Sequence, residues 1–351
     1  MSSDDEAVGD EAVGDDEAGA EVDDADATPP KPSVLCAGHI NWDVTMKVER
    51  LPEPDGEQRI DHLQQAGGGS AANVATELVG LNADSVLFGS VGGDDSGALA
   101  LQELDRAGID PGHVMVANDR ATSVKYLIVD DAGEVMVLSS EGANEAFGAA
   151  DLDDAVLADV DHLHLTSQNP NSAGDLAALA AGQGTPVSFD PGRLLDERDY
   201  ATALGHTDLL FVNDREAEML DEAVVDVEDP QDVTLVFKRG SEGAELRLPG
   251  RERLYAPPFD VEPVDTTGAG DAFAAGFLAA CFESARGHEP EVDDGTHRGI
   301  PGATAPHFRD ADLEYALEIG NVAGALATQV RGARTSLTWE RIDAFLAEHR
   351  Q

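Results

Sequence analysis

The sequence predicts an α/β fold, in which a doubly wound, three-layer α/β/α sandwich carries a small β-sheet as a lid. The first observation behind this prediction is that short apolar runs alternate with helical segments from residue 162 onward. Such alternation is typical of a parallel sheet that is covered by helices on both faces. The second observation is that segments near residues 43–63 and 123–139 have the period of half-buried strands and do not fit that sheet. We expect them to form the lid.

The first half of the ordered chain is predicted to begin with a buried strand. Residues 34–38 form an apolar run that ends in Gly38, and Asp130-Asp131-Ala132-Gly133 is typical of a hairpin turn. Gly67-Gly68-Gly69 is expected to open the first helix. In order, this half is predicted to contain strands at residues 34–38, 43–48, 57–63, 85–89, 123–129 and 134–139, and helices at residues 71–79 and 96–107.

The second half is predicted to supply most of the parallel sheet. Its expected strands are residues 162–165, 186–190, 208–213 and 233–238, and its last two helices are residues 311–329 and 338–348. Residues 283–308 are rich in Gly, Pro, His and acidic residues, which predicts a long surface insertion. The lid is expected to lie at about residues 42–64 and 114–140.

The first 30 residues differ in composition from the rest. The string DEAVG occurs twice in succession, and the segment contains acidic, Ala and Gly residues without an aromatic side chain. Such a segment cannot bury enough apolar surface to fold alone. We therefore expect residues 1–30 to be a disordered acidic tail and residues 31–351 to form one domain.

Charge is the most unusual feature of the composition. Asp and Glu number 70 against 22 Lys and Arg, which gives 22 − 70 = −48. A surface this negative repels nucleic acid and anionic membranes, so neither is expected as a partner. The excess is similar to that in proteins of salt-loving archaea with concentrated potassium in the cell, where screening reduces self-repulsion. No apolar run reaches the roughly 18 residues of a membrane span, and no secretory signal is visible. Cys36 and Cys281 are expected to be buried free thiols. From these observations we expect a cytoplasmic protein.

The most informative segment is Asp265-Thr266-Thr267-Gly268-Ala269-Gly270-Asp271, which leads directly into a helical pattern. The small residues Gly268, Ala269 and Gly270 allow backbone N–H groups to converge at the helix N-terminus, which is a binding site for a phosphate oxyanion. A carboxylate in the first turn, here Asp271, can accept a proton from an attacking hydroxyl. The segment therefore predicts phosphoryl transfer.

Two strings give the chain a family resemblance. DTTGAGDAF at residues 265–273 resembles the carboxyl-terminal signature of the ribokinase-like (PfkB) sugar kinases, and GGGSAANVA at residues 67–75 resembles their amino-terminal signature. The resemblance covers essentially residues 33–349. It implies the ribokinase-like fold and transfer of the terminal phosphate of ATP, with Mg²⁺, to a hydroxyl of a small sugar-like molecule. It also makes a homodimer formed through the lid plausible.

The resemblance assigns roles to individual residues. The sugar would be bound by Asn41, Asp43, Gly68, Gly69 and Asn73. The nucleotide would lie against Asn213, Lys238, Gly240, Gly243 and Asn321. Glu216 would act on Mg²⁺ through water, and a monovalent cation, expected to be K⁺, would lie among Asp265, Thr267, Gly332 and Ser336.

The substrate stays open among several classes. Ribokinases have a lysine where Ser70 stands and a glutamate near residues 164–168, and both are missing here. Arg193 and Lys125 are cations in a chain with four lysines, and they allow a sugar phosphate such as ribose 1-phosphate or fructose phosphate. The GSAAN string also resembles archaeal nucleoside kinases. Two further alternatives are a non-catalytic sugar or nucleotide sensor, which the intact Asp271 disfavours, and a pyridoxal or thiamine-precursor kinase.

Overall fold

The computed structural model describes residues 30–220, 233–286, 299–300 and 303–350. The predicted acidic tail lies outside the described residues except for Pro30. The strands are β1 (Ser33–Ala37), β2 (Asn41–Lys47), β3 (His62–Gly68), β4 (Asp84–Gly92), β5 (Val114–Ala117), β6 (Ser123–Val129), β7 (Val135–Ser140), β8 (His162–Thr166), β9 (Val187–Asp190), β10 (Leu209–Val212), β11 (Thr234–Lys238), β12 (Ala244–Arg247) and β13 (Leu254–Ala256). The α-helices are α1 (Ser70–Gly80), α2 (Asp95–Arg106), α3 (Asp154–Ala158), α4 (Pro170–Gln183), α5 (Ala201–Leu204), α6 (Asp214–Met219), α7 (Ala269–Arg286), α8 (Pro306–Arg309), α9 (Leu313–Thr328) and α10 (Trp339–His349).

The larger sheet has nine strands in the order β13-β12-β11-β10-β9-β8-β1-β4-β5. From β11 to β5 all neighbours are parallel, while β12 and β13 pair antiparallel at the edge. The parallel strands therefore all end at one edge of the sheet, where ligand sites of open α/β sheets form.

Helices cover both faces of this sheet. On one face, Phe211 of β10 packs with Phe273 and Phe277 of α7, in a core that also includes α1 and α9. On the other face, Phe189 of β9 packs against Tyr200 in a second core that includes α4. The predicted doubly wound α/β sandwich with a lid is thus confirmed.

The smaller sheet is the lid, with the order β3-β2-β6-β7. Strand β2 pairs antiparallel with β3 and parallel with β6, and β6 forms the predicted hairpin with β7. One face of this sheet carries Asn41, Asp43 and Lys125, since Asp43 lies opposite Lys125 in the register and side chains alternate along strands.

Three boundaries in this region differ from the sequence-based expectation. The third strand begins at His62 rather than at residue 57, and Gly67 and Gly68 belong to it, because all seven of its residues pair with β2. Of the three glycines only Gly69 borders α1, as its N-cap. Residues 114–117, which were expected in the lid, form β5 of the larger sheet. They do so because β4, α2 and β5 make a βαβ unit.

Two further differences concern polar segments. The predicted insertion at residues 283–308 is wrong at its ends, since α7 continues to Arg286 and α8 buries His307 and Phe308. Its middle, residues 287–298 and 301–302, lies outside the described residues. Strands β12 and β13 were not predicted, because buried Glu245 and Arg247 give β12 a polar sequence.

A buried carboxylate connects α1 to the loop between α9 and α10. Glu77 is fully buried and accepts hydrogen bonds from the backbone N–H groups of Thr335 and of Leu337, the latter at 2.7 Å. An unpaired buried N–H group costs about 1–3 kcal/mol. The position of this loop therefore depends on Glu77.

Neither cysteine forms a disulfide, and both Cys36 and Cys281 are buried. In the part of the chain that the structure describes, no helix has both the length and the apolar character needed to cross a membrane.

Candidate active site

The turn before α7 presents backbone N–H groups at the carboxyl edge of the sheet. Gly268 has a φ of 76°, and a Cβ there would collide with the carbonyl oxygen of Ala333, so only glycine fits. The N–H of Ala269 donates to the carbonyl of Thr266 at 3.3 Å. Among the described residues, the N–H groups of Gly268 and Gly270 have no hydrogen-bond acceptor, which leaves them available to an anion.

Asp271 lies in the first turn of α7, next to these N–H groups. Its Oδ2 accepts a hydrogen bond of 2.7 Å from Nδ2 of Asn73 on α1. Burial raises the pKa of Asp271 to about 6, against the effect of the Asn73 hydrogen bond and of the positive charges on Lys238 and Lys125. A carboxylate with a pKa near neutrality is well suited to accept a proton from a substrate hydroxyl.

Lys238 is the cation beside the turn. Its Nζ forms an ion pair with Asp190 at the end of β9, and it lies 3.4 Å from where a Cβ on Gly270 would be. Burial acts to lower the pKa of Lys238, but the carboxylates of Asp190, Glu216 and Asp271 outweigh it and raise the pKa. The lysine is therefore protonated next to the anion-binding turn.

Asn213 and Glu216 form a capping box at the start of α6. Asn213 Oδ1 accepts from the N–H of Glu216 at 2.8 Å, and Glu216 Oε2 accepts from the N–H of Asn213 at 3.0 Å. Burial raises the pKa of Glu216, and the negative charge of Asp190 raises it further.

The inner face of the lid brings polar groups to the opposite side of the site. Asp43 lies against Gly68, and its buried Oδ1 has no hydrogen-bond partner among the described residues. Burial raises the pKa of Asp43, while the charges of Lys125 and Arg334 lower it. Lys125 is half-buried and has no ion-pair partner in the described part of the chain.

Other predicted sugar-binding residues have additional contacts. Asn41 is buried, and its Oδ1 accepts a hydrogen bond of 2.6 Å from Nδ2 of Asn144. Gly69 precedes α1 as its N-cap. Arg193 lies in a short 3₁₀ turn after β9 and is exposed, without an ion-pair partner among the described residues.

Three of the residues expected around a monovalent cation lie together, namely Asp265, Thr267 and Gly332. Asp265 accepts hydrogen bonds of 2.9 Å from the N–H groups of Thr267 and Gly332, one with each oxygen. Ser336 has a φ of 55°, which is rare for a residue with a Cβ. Its carbonyl accepts from Arg341 at 2.8 Å.

The expected nucleotide residues lie at or just after the ends of β10 and β11, and on α9. Gly240 and Gly243 bound a 3₁₀ turn between β11 and β12. Asn321 of α9 donates from Nδ2 to the carbonyls of Ala256 and Pro257, at 3.1 and 3.0 Å. Its amide thus positions the residues that follow β13.

Sequence reasoning missed three participants. Asp190 was not singled out, although it is a charged residue at the end of a buried strand, as is Lys238. No local sequence motif marked Asn144 as a residue of the site. Arg334 stood inside the string Gly332–Ser336 and was not singled out, although its guanidinium reaches Asn73.

Comparison with known proteins identifies the family of the chain. The family model "pfkB family carbohydrate kinase" matches residues 31–340. An ATP-dependent ribose-1-phosphate kinase of Halopiger xanaduensis is 46% identical over 317 residues, which are 90% of this chain and 98% of that protein. A nucleoside kinase of Methanothermobacter thermautotrophicus is 28% identical over 286 residues, or 76% of this chain and 92% of that protein.

A solved structure supports the fold. Arabidopsis thaliana ribokinase, in complex with ribose and ATP, superposes with a TM-score of 0.71 at 22% identity, and covers 90% of this chain and 98% of its own. The expected family resemblance is confirmed by the family model and by the 46% identical relative. The chain therefore belongs to the pfkB family of carbohydrate kinases.

Proposed function

We propose that this kinase transfers the terminal phosphate of ATP to a hydroxyl of ribose 1-phosphate, with Asp271 as the base. The observation that carries the catalytic part is the position of Asp271, in the first turn of α7 beside the free N–H groups of Gly268 and Gly270. The substrate rests on the 46% identity with the Halopiger enzyme and on the cations near the site.

The chemistry follows from the turn. The hydroxyl oxygen forms a bond to the terminal phosphorus, its proton goes to Asp271, and the bond to the bridging oxygen of ADP breaks. The N–H groups of Gly268 and Gly270 and the amine of Lys238 stabilise the charge that develops on the transferred group. Asn73 holds the carboxylate of Asp271 in place.

The acidic residues near Lys238 fit a magnesium ion. Glu216 is buried, and it lies close enough to Asp190 and Lys238 for their charges to affect its pKa. Mg²⁺ keeps several of its waters, so a carboxylate that binds through water suits it. The ion would neutralise charge on the nucleotide phosphates.

A sugar phosphate needs a cation that the nucleotide does not use. Lys125 faces the site from the lid, since it lies opposite Asp43 in the strand register, and its charge lowers the pKa of both Asp43 and Asp271. Neither Lys125 nor Arg193 has an ion-pair partner among the described residues. A charged hydrogen bond to a phosphate contributes about 1.5–3 kcal/mol. We therefore assign the 1-phosphate to Lys125 and Arg193.

A nucleoside is the second candidate substrate, because the Methanothermobacter nucleoside kinase is also similar to this chain. A nucleoside has an uncharged base where ribose 1-phosphate has a dianion. The two substrates would thus differ in their dependence on Lys125.

A potassium ion is proposed between the loop at residues 265–267 and the loop at residues 332–336. The site offers the carboxylate of Asp265, hydroxyl groups of Thr267 and Ser336, and backbone carbonyls, which are the oxygen donors that K⁺ accepts. The carbonyl of Ser336 accepts one hydrogen bond from Arg341, which leaves it a second lone pair.

A homodimer through the lid is supported by the outer face of the smaller sheet. Leu63, Tyr126 and Leu138 are 50%, 41% and 55% exposed, and strand alternation places them on the face away from Asp43. A cluster of exposed apolar side chains is typical of a protein interface. A cytoplasmic location is proposed from the two unpaired, buried cysteines.

The first prediction concerns the base. Asp271→Asn should lower kcat by roughly 10²–10⁴-fold while ATP still binds, because only proton transfer is lost. In the wild type, kcat should fall about tenfold per unit as the pH decreases below about 6, since protonation of Asp271 removes the base. Steady-state rates and calorimetric ATP titration measure both, and near-normal turnover by Asp271→Asn would falsify the assignment.

The second prediction concerns the substrate. Lys125→Gln should raise KM for ribose 1-phosphate by roughly 10–100-fold, and change KM for ribose or a nucleoside much less. Lys47→Gln is the matched control, because Lys47 is also on the lid but is paired with Asp131 at 3.1 Å. A wild type that phosphorylates nucleosides but not ribose 1-phosphate would contradict the proposal.

The third prediction concerns potassium. Replacing KCl by choline chloride at equal molarity should lower kcat at least about tenfold, because the donors of the turn lose their ordering ion. Asp265→Asn should reduce this dependence. Equal rates in potassium, sodium and choline salts would exclude a functional cation.

The fourth prediction concerns assembly. Sedimentation equilibrium in molar KCl should give a dimer for the wild type and a monomer for Leu138→Glu, because a charge on the outer lid face opposes apolar contact. Leu99→Glu is the control, since Leu99 is 42% exposed on α2, outside the lid. A monomeric wild type would rule out the lid interface.

A further inference from the structure

Arg334 reaches Asn73 in the site, whereas the residues next to it in sequence hold the loop in place. The backbone on either side of it is held by carboxylates, because half-buried Asp265 accepts the N–H of Gly332 and buried Glu77 accepts the N–H of Thr335. The direction in which this side chain leaves the loop is therefore determined by the fold.

The guanidinium of Arg334 is almost enclosed, with 13% of the side chain exposed. Its Nε donates to Oδ1 of Asn73 at 3.4 Å, and its Nη1 lies 3.8 Å from Oε2 of Glu103. Gly67 makes room for it, since a Cβ there would be 2.7 Å from Nη1. Its Nη2 has no partner among the described residues.

The amide of Asn73 can in principle turn either end toward Asp271. Its Nδ2 group donates to a carboxylate, whereas its Oδ1 would repel one. The arginine guanidinium can only donate hydrogen bonds, so it can bond to Oδ1 of Asn73 but not to Nδ2. We propose that Arg334 is a positioning residue, which holds the Asn73 amide in the orientation that donates to Asp271.

The effect of Arg334 on the base is therefore indirect, and it rests on the proposed role of Asp271. Besides Asn73 of α1, charged groups of three other elements face this carboxylate: Asp190 at the end of β9, Lys238 at the end of β11 and Lys125 of β6. The charged groups that act on Arg334 itself are Glu103, Asp43 and Glu77. The Asn73 amide links Arg334 to Asp271 by two hydrogen bonds.

Two substitutions of equal length isolate the hydrogen bond. In Arg334→Gln the amide nitrogen can occupy the position of Nε, and in Arg334→Met a methyl group occupies it. Both variants lose the charge and both Nη groups. They differ in whether a donor faces Oδ1 of Asn73.

The measurement is the dependence of kcat on pH for the wild type and both variants. We expect the acid limb of Arg334→Met to move to higher pH by about one unit, because a freely rotating amide no longer favours the carboxylate form. The plateau rate should also fall, by about tenfold, with KM for ATP unchanged. Arg334→Gln should keep the wild-type acid limb.

Arg341→Met is the control for loop damage, because Arg341 binds the carbonyls of Thr335 and Ser336 but not Asn73. It should keep the wild-type acid limb even if it melts at a lower temperature. Coincident profiles for Arg334→Gln and Arg334→Met, or an equal shift in Arg341→Met, overturn the proposal.

The role of Asp271 as the base and the positioning role of Arg334 are tested by different variants. If Asp271→Asn retains turnover, the base assignment fails, whatever the Arg334 variants do. If Asp271→Asn is inactive and the Arg334 variants coincide, only the positioning role fails.

Discussion

The geometry of the active site depends on one loop, residues 331–337, and on the carboxylates that bind it. Asp265 joins the loop to the turn before α7, and Glu77 joins it to α1. The close approach of Gly268 to Ala333 is possible only in this arrangement. Since each unpaired buried N–H group costs about 1–3 kcal/mol, the three segments keep one relative position. The base, the anion-binding turn and the amide that orients the base are held together in this way.

The electrostatics of the site contrast with those of the whole chain. The protein has a formal charge of −48 and four lysines, yet Lys238 and Lys125 both act on Asp271. Anionic substrates approach such a surface against its net field, and salt screens that field over a few ångströms at molar concentration. Binding of phosphates must then depend on local cations and on backbone N–H groups. Burial strengthens these contacts, because it removes competing water.

The larger sheet and the lid supply different residues of the site. The carboxyl edge of the larger sheet supplies Asp190, Lys238 and the start of α7, whereas the lid supplies Asp43 and Lys125.

Most of these strands and helices were predicted from alternation and apolar runs in the sequence. The errors arose where pairing overrode local preference, as in β3 with its glycines and β5 in the larger sheet. A strand is stabilised by its neighbours, which a single segment of sequence does not specify.

The sequence by itself determined the local chemistry: the turn at residues 265–271, its small residues and the capping box of Asn213 with Glu216. Caps and tight turns are decided by residues a few positions apart, so a pattern is enough to predict them. Only the tertiary structure decided that Asn73 meets a carboxylate 198 residues away and a guanidinium 261 residues away. Such contacts follow from the packing of helices and loops around the sheet, and no local pattern encodes them.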